Sequence, residues 1–252
     1  MKVPTFADFA ETIRLLPTTQ LQERDCQGFL FSEERGVRVY YAPFDWVDLS
    51  ARIAIVGITP GKDSMLNGIQ AAAAALREGR SPEECCRIGK QAGSFSNMRR
   101  NICSMLNELG VPAALGIQRA EELFQNRADL LHTTSCVRYP IFIWESKRQS
   151  WANYGGHSPD LLSWPLSRFY IENILSEELR QIPEALIVPC GKAVDQALVH
   201  LCAIRMLDAN RCLFGFPHAS GNNGHRAKFF ETNKAHLTKA VARWATGGNC
   251  DQ

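Results

Sequence analysis

Two short stretches hold the residue types from which a hydrolytic site could be built. The first is Gly57-Ile58-Thr59-Pro60-Gly61-Lys62-Asp63-Ser64, directly after an apolar run. Two glycines around a proline make a tight turn in which backbone can approach a ligand closely, and Asp63 adds a carboxylate at its end. A plain strand-to-helix turn with Asp63 or Ser64 as cap accounts for the same residues as well as a catalytic loop does. A phosphate-binding loop is excluded, because the spacing from Gly57 to Gly61-Lys62 is one residue short and Asp63 stands where a hydroxyl is needed. The second stretch is Phe216-Pro217-His218-Ala219-Ser220-Gly221-Asn222-Asn223-Gly224-His225-Arg226. A histidine, then small and amide residues, then a cation opening a helix offer donors for a developing oxyanion and for DNA phosphates together. A lone histidine is more often structural, but a loop rich in glycine and asparagine after a β-prone run favours function.

The elements that must position these loops alternate in the rhythm of parallel βαβ units. Ile53 to Ile58, Leu130 to Val137, Ala185 to Pro189 and Arg211 to Phe216 read as four core strands, with helical patterns over 66–78, 96–109, 167–181, 191–206 and 226–244. This predicts an α/β fold, a three-layer α/β/α sandwich on a central four-stranded parallel sheet, with ligands bound at the carboxyl ends of the strands. The chain reads as one domain over 1–252, with a helical and hairpin extension over 1–50. That extension holds a helix from Thr5 to Leu16 and a β-prone run from Val37 to Tyr41. Residues 142–165 read as a long irregular loop carrying Trp144, Trp151, Tyr154 and Trp164 among Lys147 and Arg148, suited to contacting unstacked bases or covering a sheet face.

Composition narrows the class. With 45% hydrophobic and 21% charged residues the chain is an ordinary globular one, and its apolar runs are far shorter than a membrane span. The nine cysteines form no C-x-x-C pair, so no disulfide framework, zinc knuckle or iron-sulfur cluster is expected, and no metal or other cofactor is invoked. A formal net charge of +2 neither demands nor excludes a nucleic-acid partner. The expectation is a cytoplasmic monomer without membrane attachment.

G-x-x-P-G after the first strand and H-x-S-G-x-N after the last resemble the two signature motifs of the uracil-DNA glycosylase superfamily, in the right order and at a fitting separation. The resemblance extends to Gly93-Ser94-Phe95 and to Leu186-Ile187-Val188-Pro189-Cys190-Gly191-Lys192-Ala193, and covers residues 50–245. It implies a uracil-DNA glycosylase-like fold that flips one base out of DNA and hydrolyses its N-glycosidic bond. Cleavage builds positive charge on the sugar and negative charge on the leaving base, so a donor at the base oxygen and a group that handles water are required. The resemblance implies His218 as that donor, Phe95 as the ring that stacks on the flipped base, and Gly57, Ile58 and Ser135 around the base. It implies Gly61, Lys62, Ser220, Gly221, Asn222, Asn223 and Arg226 on the DNA. Plain core packing is an equal alternative for Phe95.

Two departures bear on the substrate. Where several branches carry Asp or Asn to manage water, this chain has Thr59, whose hydroxyl is a poor base; Asp63 is the nearest ionisable replacement, with helix capping as its alternative role. Where many relatives carry a base-reading Asn, this chain has Ser135, or Thr134 if the alignment shifts by one. Small hydroxyl residues would open the pocket. The expectation is a DNA glycosylase for an altered pyrimidine, uracil-like, oxidised or hypermodified, in repair or in defence against modified phage DNA. The alternative is a non-catalytic module that recognises modified or abasic nucleotides. A nucleoside or nucleotide hydrolase is disfavoured by the missing P-loop and acidic metal cluster.

Overall fold

The computed structural model describes residues 3–221 and 224–247, so Asn222 and Asn223 lie outside the described residues. In chain order the strands are β1 (Leu30–Glu34), β2 (Val37–Tyr40), β3 (Ile53–Gly57), β4 (Leu131–Ser135), β5 (Ile141–Glu145), β6 (Ser150–Asn153) and β7 (Leu186–Pro189). The helices are α1 (Phe6–Arg14), α2 (Lys62–Arg77), α3 (Pro82–Gly93), α4 (Arg99–Glu108), α5 (Val111–Leu115), α6 (Pro165–Phe169), α7 (Ser176–Arg180), α8 (Lys192–Ala203) and α9 (Arg226–Ala245). The fold is therefore mixed α/β, in two compact units. No described helix is long and apolar enough to cross a membrane.

The first unit gathers Met1–Val47, Thr59–Ser96 and Val137–Pro159. Its antiparallel sheet has the order β1-β2-β5-β6. The segment from Phe142 to Trp164, expected as an irregular loop, instead begins as the β5–β6 hairpin, with Trp144 opposite Trp151 and Phe142 opposite Asn153. Ile141-Phe142-Ile143-Trp144 and Ser150-Trp151-Ala152-Asn153 each place alternate residues on opposite faces, a period of two that the aromatic count had obscured. The rings of Trp144 and Trp151 meet edge-on at 5.4 Å, and the Arg38 guanidinium sits 4.1 Å over Trp151. The expected first helix forms as α1, where Thr5 N donates to the Asp8 carboxylate at 2.9 Å. The helix α3 has no counterpart in the sequence expectations, although Ser81, Pro82 and Glu84 make a complete capping box. Small residues let α2 and α3 cross closely: a Cβ on Gly89 would stand 2.8 Å from the Gly68 carbonyl oxygen.

The second unit gathers Asp48–Ile58, Asn97–Cys136 and Asp160–Gln252. Its sheet is parallel with the order β4-β3-β7, and every residue of the central strand β3 is buried, which is why Ile53-Ala54-Ile55-Val56 shows no polar alternation. The registers place Gly57 beside Ser135 and Val56 beside Pro189. The expected fourth parallel strand reduces to one bridge between Ile187 and Cys212, with Leu213 N donating to the Ile187 carbonyl at 2.8 Å. The ladder stops there for local reasons. Gly215 has φ +90, which leaves the extended region, and Pro217 carries no amide hydrogen. Upstream, the Arg211 guanidinium turns back to donate to the carbonyls of Ala185 and Ile182 at 3.1 and 2.6 Å. The helical stretch expected over 167–181 is α6, a six-residue π-helical segment Tyr170–Leu175, and α7. A buried hydrogen bond between His132 and Glu178 at 3.2 Å ties β4 to α7.

Candidate active site

Within the second unit the carboxyl ends of the parallel strands bring Gly57, Ser135 and Cys190-Gly191 into adjacent rows. Cys136 N donates to the Gly57 carbonyl and Cys190 N to the Val56 carbonyl, each at 2.8 Å, so the backbone of all three ends is held in register. Thr133, Thr134 and Ser135 are all buried. Alternation puts Thr134 on the face of His132, and Ser135 on the other face beside Gly57. The Thr134 hydroxyl is buried with no hydrogen-bond partner among the described residues.

His218 is held against this edge by the neck of α8. Gly191 has φ +98, and a Cβ there would meet the His218 Cβ at 2.9 Å, so the site requires glycine both for backbone conformation and for space. Gly191 N also donates to the Phe216 carbonyl at 3.1 Å. Asn101 on α4 donates to the Ala219 carbonyl at 2.8 Å, and Arg226, opening α9, donates to the Ser220 carbonyl at 2.7 Å. Asp195 in the first turn of α8 accepts from Gly215 N at 3.0 Å. Its second carboxylate oxygen is buried without a hydrogen bond among the described residues, and burial pushes its pKa up to about 6. Four hydrogen bonds thus fix the backbone from Gly215 to Ser220.

The imidazole tautomer follows from its neighbour. His218 Nδ1 lies 3.1 Å from Ser220 Oγ and 3.4 Å from Ser220 N. An amide nitrogen can only donate, so Nδ1 is the acceptor and the ring proton resides on Nε2. Burial lowers the His218 pKa below its ordinary value, which keeps the ring neutral at pH 7. A neutral Nε2–H donor in a half-buried loop can stabilise a developing oxyanion without transferring a full charge.

The remaining sequence candidates belong to the first unit. The Thr59 hydroxyl donates to the Tyr139 carbonyl at 2.7 Å and accepts from Ile141 N at 3.2 Å. Its hydroxyl hydrogen and one lone pair hold the start of β5, so Thr59 serves as a backbone clamp there. Gly61 caps α2; Lys62 N donates to Asn153 Oδ1 at 3.0 Å, and the Lys62 ammonium pairs with Glu23 at 3.6 Å. Asp63 is exposed in the first turn of α2, a position that the helix dipole favours for an acid. Phe95 is buried with φ +52, just beyond the Ser94 cap of α3. Glycine is the usual residue there; a ring in the left-handed region costs about 1–2 kcal/mol.

Against curated proteins, the chain is 35% identical over 243 residues to the uncharacterized protein YoxB of Bacillus subtilis (strain 168), covering 94% of this chain and 92% of that one. The chain belongs to the YoxB family. No protein-family model matches it, and no solved structure does.

Several residues around His218 escaped the sequence reading. Asn101 lies 118 positions from the carbonyl it holds, and nothing in its own helix marks it. Asp195 carried a readable signal, a carboxylate in the first turn after a strand end. Among the described residues no group of three or more His, Cys, Asp or Glu could hold a metal ion.

Proposed function

We propose that this protein is a DNA glycosylase of the uracil-DNA glycosylase type. It flips an altered pyrimidine out of DNA and hydrolyses its N-glycosidic bond, leaving an abasic site. The observation that carries the reading is His218, a neutral imidazole with its proton on Nε2, fixed on Gly191 at the carboxyl end of a buried parallel sheet. As the bond from C1′ to the base nitrogen breaks, its electron pair passes to the base. A donor at the base oxygen lowers that barrier, while water adds to the sugar cation and gives up a proton that ends, through solvent, on the departing base. Ser135 is a small hydroxyl residue at the end of β4, on the face it shares with Gly57, which suits a base larger than uracil. The proposed arrangement is a three-layer α/β/α sandwich, with β3, β4, β7 and the Ile187–Cys212 bridge as its centre. The enzyme acts as a monomer in the cytoplasm, in repair or against modified phage DNA.

One competing reading has a specific observation in its favour. Thr59 is committed to Tyr139 and Ile141, and Asp63 is exposed, so neither has the buried setting of a tuned general base. A module that recognises altered bases without cutting would need neither. The test is incubation with oligonucleotides carrying uracil, hypoxanthine and modified cytosines, followed by alkali to break abasic sites. The glycosylase reading expects breakage on at least one modified base and a loss of about 10²–10³ in rate for His218→Ala. DNA binding without breakage on any substrate would favour the module. Robust uracil excision with no modified base cut would overturn the altered-base assignment.

A further inference from the structure

The helix α9 (Arg226–Ala245) carries Arg226, Lys228, Lys234, Lys239 and Arg243 against Glu231 alone. That formal +4 exceeds the +2 of the whole chain, so the other residues together carry −2. The charge is sorted by face. At 3.6 residues per turn, Lys228, Thr232, His236, Lys239 and Arg243 fall within an arc of about 80°, and Phe230, Leu237 and Val241 centre on the opposite side. The first set is exposed and the second buried. Lys234, off the stripe, is neutralised by Glu108 on α4, whereas Lys228, Lys239 and Arg243 form no ion pair among the described residues. Helix stability accounts for Arg243, a cation in the last turn, but not for Arg226 and Lys228, which occupy a first turn that holds no acid and there oppose the helix dipole.

From these observations we infer that the exposed stripe Lys228–Lys239–Arg243 of α9 is a docking surface for the phosphate backbone of duplex DNA. The naming of DNA rests on the glycosylase reading; the charge sorting does not. The stripe runs about 22 Å along the helix axis at 1.5 Å per residue, long enough to meet three phosphates, and it offers point charges without base-reading side chains. A membrane surface fits poorly, because Phe230, Leu237 and Val241 are spent inward on the core, and the one large apolar side chain that α9 exposes, Phe229, is a single ring rather than the apolar face that a lipid interface takes up. The stripe therefore adds affinity and salt sensitivity without sequence preference.

The test compares wild type, Lys228→Gln/Lys239→Gln/Arg243→Gln and His218→Ala by titrating a fluorescent undamaged duplex at several salt concentrations. Each phosphate contact contributes about 0.9 to the slope of log affinity against log salt, so the triple variant should lose about 2.7 of the wild-type slope. Between about 50 and about 200 mM salt, the wild type should then weaken about 40-fold more than the variant. His218→Ala should keep the full slope. If no substrate is ever cut but the triple variant still loses the slope, the docking surface stands and the glycosylase reading falls. An unchanged slope in the triple variant overturns the docking surface, whether or not abasic sites are formed. Tighter wild-type binding to anionic phospholipid vesicles than to the duplex would overturn it too.

Discussion

Asp195 holds the His218 loop at a thermodynamic cost that pH should expose. Its carboxylate accepts from Gly215 N, but one oxygen is buried without a partner among the described residues, and burial raises its pKa from the ordinary 3.8 to about 6. The sign is opposite to that of a salt-bridged aspartate. Because the folded protein prefers the neutral acid, it binds more protons than the unfolded chain between pH 4 and 6, and stability falls as pH rises through that window. A shift of this size corresponds to about 3 kcal/mol at 1.36 kcal/mol per unit, and partial exposure reduces it to roughly 1–2 kcal/mol. Asp195→Asn removes the titration and keeps an oxygen that can accept from Gly215 N. Its absolute stability carries an offset from the new amide group, so the informative quantity is the difference from wild type as a function of pH. Urea unfolding from pH 4 to pH 8 should show the variant gaining roughly 1–2 kcal/mol on the wild type across that range, with most of the change below pH 6.5. A difference that stays flat, or that moves the other way, would refute the argument that an ionised, half-solvated carboxylate is held there.

Two further outcomes follow from geometry away from that loop. Phe95→Leu keeps apolar volume at a position where the ring is strained, so the loss of stability should stay below about 1.5 kcal/mol; if the ring stacks on a flipped base, excision should fall about tenfold or more, and unchanged excision would make Phe95 a packing residue. His132 and Glu178 are 1% and 2% exposed, so His132→Leu or Glu178→Leu alone should cost about 3–5 kcal/mol in urea unfolding, and the double variant clearly less than the sum; additive losses would show that the two groups are not energetically paired.

What could be read from the chain divides by the range of the interaction that places each residue. The strands β3, β4 and β7 were legible because burial on both faces leaves continuous apolar or small-residue runs, and α9 because its apolar spacing is undisturbed for 20 residues. The fourth strand was over-read: Arg211 to Phe216 has strand-like composition, but the φ of Gly215 and the reach of the Arg211 side chain are set by tertiary contacts that composition does not record. The helix α3 is a different case, since Ser81-Pro82-Glu83-Glu84 states its start locally as a capping box with proline at the first position. The same division runs through the site. The tautomer of His218 is fixed by Ser220, two residues away, and so lies within reach of a motif. Its position is fixed by Gly191, Asn101 and Asp195, none of them within 20 residues of it in the chain. Any side chain of suitable length and polarity could serve as such a strut, so no residue type announces one. Gly191 is the exception, because a left-handed backbone against the His218 Cβ admits only glycine, and a requirement that strict leaves its mark in the sequence.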